Sequence, residues 1–114
     1  MQTIGHYIDG EIVSGKSDRT SDVFNPATGE VQAKVSLATV DEMNWAVEIA
    51  AKAQPAWAAT NPQRRARVLM KFVDLLNRDM DKLAECLSRE HGKTLPDAAG
   101  DVVRGLEVVE YCIG

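Results

Sequence analysis

The chain has 114 residues, 45% of them hydrophobic and 26% charged, with a formal net charge of −4 at pH 7. That length supports one domain, or part of one, with a real core. The acidic balance argues against a surface built to neutralise nucleic-acid phosphates, and no apolar run approaches the ~18 residues a membrane span needs. The opening MQTIGHYIDG has neither the layout of a secretory signal nor the Arg- and Ser-rich pattern of a transit peptide. A cytoplasmic protein without nucleic-acid or membrane partners is expected.

In chain order, Tyr7-Ile8-Asp9-Gly10-Glu11-Ile12-Val13 reads as a small hairpin, with Asp-Gly as a type I′ turn between apolar pairs. A polar loop follows over 14–22. Val23-Phe24 then leads into the turn signal Asn25-Pro26-Ala27-Thr28-Gly29. Val31, Ala33, Val35 and Leu37 alternate with Gln32, Lys34 and Ser36, the period-two pattern of a half-buried strand. Two or three short strands are therefore expected over residues 1–38.

Residues 39–114 read as helical. Thr39 and Glu42 fit a capping box at the start of a helix whose apolar stripe is Ala46, Ile49, Ala50 and Ala53, and Pro55 should kink or end it before Trp57. A second start at Thr60-Asn61-Pro62 opens one long helix, with Ala66, Leu69, Met70, Val73, Leu76, Met80, Leu83, Ala84 and Leu87 recurring at steps of three and four over about seven turns. It should stop at Gly92 in a left-handed cap after His91. Thr94-Leu95-Pro96, with Asp97 three residues after Thr94, starts a third helix carrying Ala98, Val102, Leu106, Val109 and Ile113. That stripe is still apolar at the last turn, so these residues are expected to pack elsewhere, as in a piece truncated at 114 from a larger α/β protein.

Arg64, Arg65 and Arg67 cluster near a helix start, where cations oppose the macrodipole; a solvated face or a carboxylate-bearing partner would explain them. Cys86 and Cys112 lie in helical patterns and are expected as reduced, packed thiols. His6 and His91 are far apart and no Cys-x-x-Cys spacing occurs, so no metal site is expected. Gly92-Lys93-Thr94 imitates the end of a phosphate-binding loop, but the upstream glycine is missing and a helix cap is the better account.

The candidate binding residue is Arg104. It follows Gly100 by one helical turn and directly precedes Gly105. Each glycine inside a helix costs roughly 1 kcal/mol relative to alanine, so two beside one long cation require a reason. Open backbone beside a guanidinium is one: a small anion could sit there. An exposed ion-pair ladder with Asp101 and Glu107, each three residues away, is the other reading.

The segments YIDGEIV, VFNPATGEVQAKV, AVEIAAKAQPAW, RRARVLMKFVDLL and SREHGKT, in this order and over nearly the whole chain, resemble the N-terminal part of the aldehyde dehydrogenase superfamily. GKTLPDAAGDVVRGLEVVEYC is most similar to its methylmalonate-semialdehyde dehydrogenase branch, which acylates coenzyme A. The resemblance implies an NAD-dependent α/β enzyme, a dimer or tetramer, of which this chain supplies the opening strands and three amphipathic helices of the NAD-binding region. The dinucleotide pocket and the catalytic groups, the nucleophilic cysteine among them, would lie downstream, leaving no catalytic or cofactor-binding residue here. The implied substrate carries a carboxylate beside its aldehyde, and Arg104 is the position to which a carboxylate-binding role carries over. Another aldehyde dehydrogenase, an inactive relative used as a scaffold, or a stand-alone helical self-association module remain as alternatives.

Overall fold

A computed structural model describes residues 1–114 and divides them into two compact units, 1–59 and 60–114. The first holds five strands: β1 (Gln2–Ile4), β2 (His6–Ile8), β3 (Glu11–Val13), β4 (Thr20–Phe24) and β5 (Val31–Ser36). It ends with helix α1 (Val40–Ala59). β2 and β3 form the expected hairpin, with Asp9 at φ 56° and Gly10 at φ 76° making the turn between them. The other three form a sheet in the order β1-β5-β4, β1 parallel to β5 and β4 antiparallel to it.

The strand expected at Val31 is there, but its burial does not alternate as expected. Ala33 and Ser36 are its buried residues, and Leu37 falls beyond the strand and is exposed. β5 is the central strand, and the backbone of Gly15 comes so close to Ser36 that a Cβ at Gly15 would overlap the Ser36 hydroxyl. A polar side chain is thus sealed at a position where a period-two count places solvent. One extra residue, Gln32, bulges β5 opposite Val23 and Phe24, and its amide donates to the Phe24 carbonyl at 3.1 Å.

The capping box of α1 forms as expected. Thr39 Oγ1 accepts from the Glu42 N–H at 3.1 Å, and Glu42 Oε1 accepts from the Thr39 N–H at 3.1 Å. Glu42 Oε2 also accepts from the Lys16 N–H at 3.2 Å and lies 3.8 Å from His6 Nε2, so one buried carboxylate ties the helix start to the loop after β3 and to β2. Pro55, however, does not end α1. The helix runs through it to Ala59, and the Ala51 carbonyl that loses its N–H partner lies on an exposed stretch, where solvation lowers the cost of an unpaired carbonyl.

The second unit contains three α-helices, not the two expected from the sequence: α2 (Pro62–Arg78), α3 (Met80–His91) and α4 (Leu95–Ile113). The long helix breaks at Asp79, which has φ −103° and ψ 15°. Hydrogen bonds persist on both sides, from Asp79 N–H to Leu75 O and from Leu83 N–H to Asp79 O, each 3.0 Å. The apolar period therefore runs on through the break. Arg78 grips both oxygens of Asp79 at 3.1 and 2.7 Å and holds its carboxyl below the usual range, placing a negative charge at the start of α3. Gly92 ends α3 at φ 86°, and α4 packs against both α2 and α3.

Hydrogen bonding from the Thr39 backbone, against opposing desolvation and with help from Lys16 and His6, keeps the Glu42 carboxyl below its ordinary value. A depressed folded-state value stabilises the fold above the unfolded glutamate range and is lost as pH falls through the folded value. Thermal melts should therefore show stability dropping on acidification, with a smaller drop in Glu42→Gln; Thr39→Ala should cost about 1 kcal/mol in a urea titration.

Candidate substrate-anchoring site on α4

Helix α4 starts where the Thr94 hydroxyl accepts from the Asp97 N–H at 3.4 Å, with Pro96 in the first turn. Ahead of it, the Gly92 N–H donates to Ser88 O at 2.8 Å and the Ser88 hydroxyl donates to Lys93 O at 2.6 Å. These bonds fix the backbone of Lys93. Its ammonium then reaches forward to Asp101 Oδ2. On the other oxygen, Asp101 Oδ1 accepts from Arg104 Nη1 at 2.7 Å. The Lys93 hydrogen bond is the main cause that holds the Asp101 carboxyl below its usual range; the positive charges of Lys93, Arg104 and His91 add to it, and desolvation opposes it.

Arg104 thus makes the ion pair expected with Asp101 but none with Glu107. Its side chain is 79% exposed, against 31% for Asp101 and 22% for Lys93. A Cβ at Gly100 or Gly105 would meet nothing within 4 Å, so within this chain neither glycine is required by crowding. Val108 at 62% exposure and Tyr111 at 86% follow Arg104 by four and seven residues on the same side of the helix. The face available to a ligand therefore joins one cation to open backbone and apolar surface. Lys93 was missed as part of this cluster because it lies eight residues before Asp101 across a turn, outside any helical spacing.

The cysteines depart from expectation. Cys86 and Cys112 are both exposed and not packed, because α3 and α4 turn these positions away from the faces that they bury against each other. Neither occupies the first turn of a helix, where a thiolate is favoured. No group of three or more His, Cys, Asp or Glu side chains is placed to hold a metal ion, and no helix is long and apolar enough to cross a membrane.

The aldehyde dehydrogenase family profile matches residues 12–114. The chain belongs to this family. It is 47% identical over 111 residues to a malonate-semialdehyde dehydrogenase of Pseudomonas aeruginosa, covering 97% of this chain and 22% of that protein. Against the acylating, mitochondrial methylmalonate-semialdehyde/malonate-semialdehyde dehydrogenase of Mus musculus it is 45% identical, covering 97% of this chain and 21% of the relative. Among solved structures, one from Sinorhizobium meliloti 1021, assigned provisionally as a methylmalonate-semialdehyde dehydrogenase and complexed with NAD, superposes with a TM-score of 0.97 at 65% identity. That match covers 100% of this chain and 23% of the solved one. The α/β class expected from the sequence is the one found, with four helices in place of three, and this aldehyde dehydrogenase chain spans about a fifth of the length of the curated relatives named here.

With open space around Gly100, alanine there should favour the helix. Gly100→Ala is expected to raise stability by about 0.5–1 kcal/mol in chemical denaturation, and a loss would show that the position is crowded by something outside this chain.

Proposed function

We propose that this chain is the N-terminal part of an NAD-dependent, coenzyme A-acylating malonate- or methylmalonate-semialdehyde dehydrogenase, which converts the semialdehyde to acetyl-CoA or propionyl-CoA with loss of carbon dioxide. The observation that carries the reading is 65% identity over the whole chain to the Sinorhizobium protein, supported by the names of the Pseudomonas and mouse relatives. NAD accepts the hydride in such a reaction, and coenzyme A takes the acyl group. The helix starts here are at Val40, Pro62, Met80 and Leu95, and none follows a glycine-rich strand-to-helix turn of the kind that cradles a dinucleotide. We therefore assign the binding of both cofactors, and the reactive cysteine, to the part of the relatives that this chain does not cover. The compartment in this reading is the cytoplasm.

What these residues contribute is a scaffold and a substrate anchor. The substrate's carboxylate sits beside its aldehyde, and a planar guanidinium holds such a group through two parallel N–H···O bonds, fixing the carbonyl carbon as well as binding it. Arg104 offers a mostly solvent-facing guanidinium on a face with no side chain at Gly100 or Gly105. The reading of a stand-alone self-association module has less behind it, since it rests on exposed apolar residues of α2 and α4 such as Val68, Phe72, Val108 and Tyr111, whereas the dehydrogenase reading rests on identity along the whole chain.

In the full-length enzyme, Arg104→Leu should raise KM for malonate semialdehyde far more than for propanal, by about 1.5–3 kcal/mol or roughly tenfold to a hundredfold. Equal losses on both substrates would remove the anchor role. The 114-residue chain alone should give no aldehyde-dependent NADH formation, and turnover from it would overturn the assignment of the reactive groups to the remainder of the protein.

A further inference from the structure

An arginine that anchors a substrate carboxylate faces a difficulty when an aspartate of its own helix lies within reach. A free Asp101 could engage the Arg104 fork through both oxygens, cancel its charge and compete with the ligand for the same N–H groups. The arrangement around Asp101 works against this. Lys93 donates to Oδ2 and competes for that oxygen, and Asp101 meets Arg104 through Oδ1 alone, which accepts from Nη1 at 2.7 Å. The edge of the guanidinium formed by Nε and Nη2 has no partner in the chain. In charge, the two cations and one carboxylate leave a net +1 where an isolated Arg–Asp pair would be neutral. Lys93 is held in this role by its own backbone, gripped by the Ser88 hydroxyl beside the Gly92 cap, and its side chain is much less exposed than that of Arg104. The other ionisable groups near the cluster are His91, Asp97 and Glu107, and none of them forms an ion pair with Arg104.

We propose that Lys93 is a positioning residue for substrate recognition: by occupying one oxygen of Asp101, it keeps Arg104 from being neutralised and leaves the Nε–Nη2 edge free for the carboxylate of a semialdehyde. This inference rests on the reading of Arg104 as the substrate anchor. It adds a second residue, outside α4, to what determines preference for carboxylate-bearing aldehydes over plain ones.

The test is steady-state kinetics of the full-length enzyme with malonate semialdehyde and with propanal. Lys93→Met should raise KM for the semialdehyde about three- to fivefold, the size of an exposed charge interaction, with a clearly smaller effect on propanal and the change in KM exceeding that in kcat. Lys93→Arg keeps the charge and should retain the wild-type ratio of kcat/KM for the two substrates. Adding Asp101→Asn to Lys93→Met removes the competing carboxylate and should bring KM for the semialdehyde back toward wild type. The proposal is overturned if Lys93→Met affects both substrates equally, or if the double variant is no better than the single one. Arg104→Leu separates the two levels. If it discriminates between the substrates while Lys93→Met does not, only the role of Lys93 falls; if it does not discriminate, the anchor itself falls and Lys93 with it.

Discussion

Helix α4 is seated by a methyl group. Ala98 is 0% exposed, in the first full turn of a helix that packs on both α2 and α3. A side chain that small lets the helices approach closely, and anything larger would lift α4 off its neighbours. Leu106, two turns on, is the other buried residue of α4, so it is covered within this chain and not left to pack elsewhere as its stripe suggested, and with Ala98 it fixes the rotation of the helix about its axis. With Ala98 and Leu106 inward, Asp101 falls at the margin of the packed face and Arg104 beyond it. The difference in exposure between Asp101 and Arg104 follows from that rotation, so the packing of two apolar residues turns the Arg104 guanidinium to the surface.

The α3–α4 turn places the lysine that completes this cluster. Thr94 caps α4 and Gly92 closes α3, each satisfying backbone groups that a helix end leaves open. Between them only Lys93 remains, and its position is dictated by the two caps. An ammonium delivered by a rigid turn needs little further ordering to reach Asp101, which is how a pair near the surface can hold a defined geometry despite the entropy of a long side chain.

Much of this was legible in the sequence because it is local. The Asp9-Gly10 turn, the Thr39–Glu42 box, the Gly92 cap and the Thr94 start all depend on residues within four positions of one another, and each forms as read. The Asp101–Arg104 pair was visible for the same reason. What escaped depends on distance or on solvent. Gln2–Ile4 carries no alternation long enough to mark a strand, and its partner lies some thirty residues away in β5. Ser36 is buried by Gly15, a contact no periodicity encodes. Asp79 breaks a helix whose hydrogen bonds continue on both sides, so the apolar stripe gave no warning. Pro55 stays helical on an exposed stretch, where the carbonyl it orphans faces solvent at lower cost than in a core. Lys93 reaches Asp101 across a turn, beyond the reach of helical spacing.

The parallel pairing of β1 with β5 carries a practical consequence for handling the protein. Gln2, Thr3 and Ile4 are matched with Ala33, Lys34 and Val35, so the first few residues alone shield one side of the central strand. Trimming them, or pulling them aside with a fused affinity tag, would turn β5 into a bare margin whose amides and carbonyls invite intermolecular strand addition.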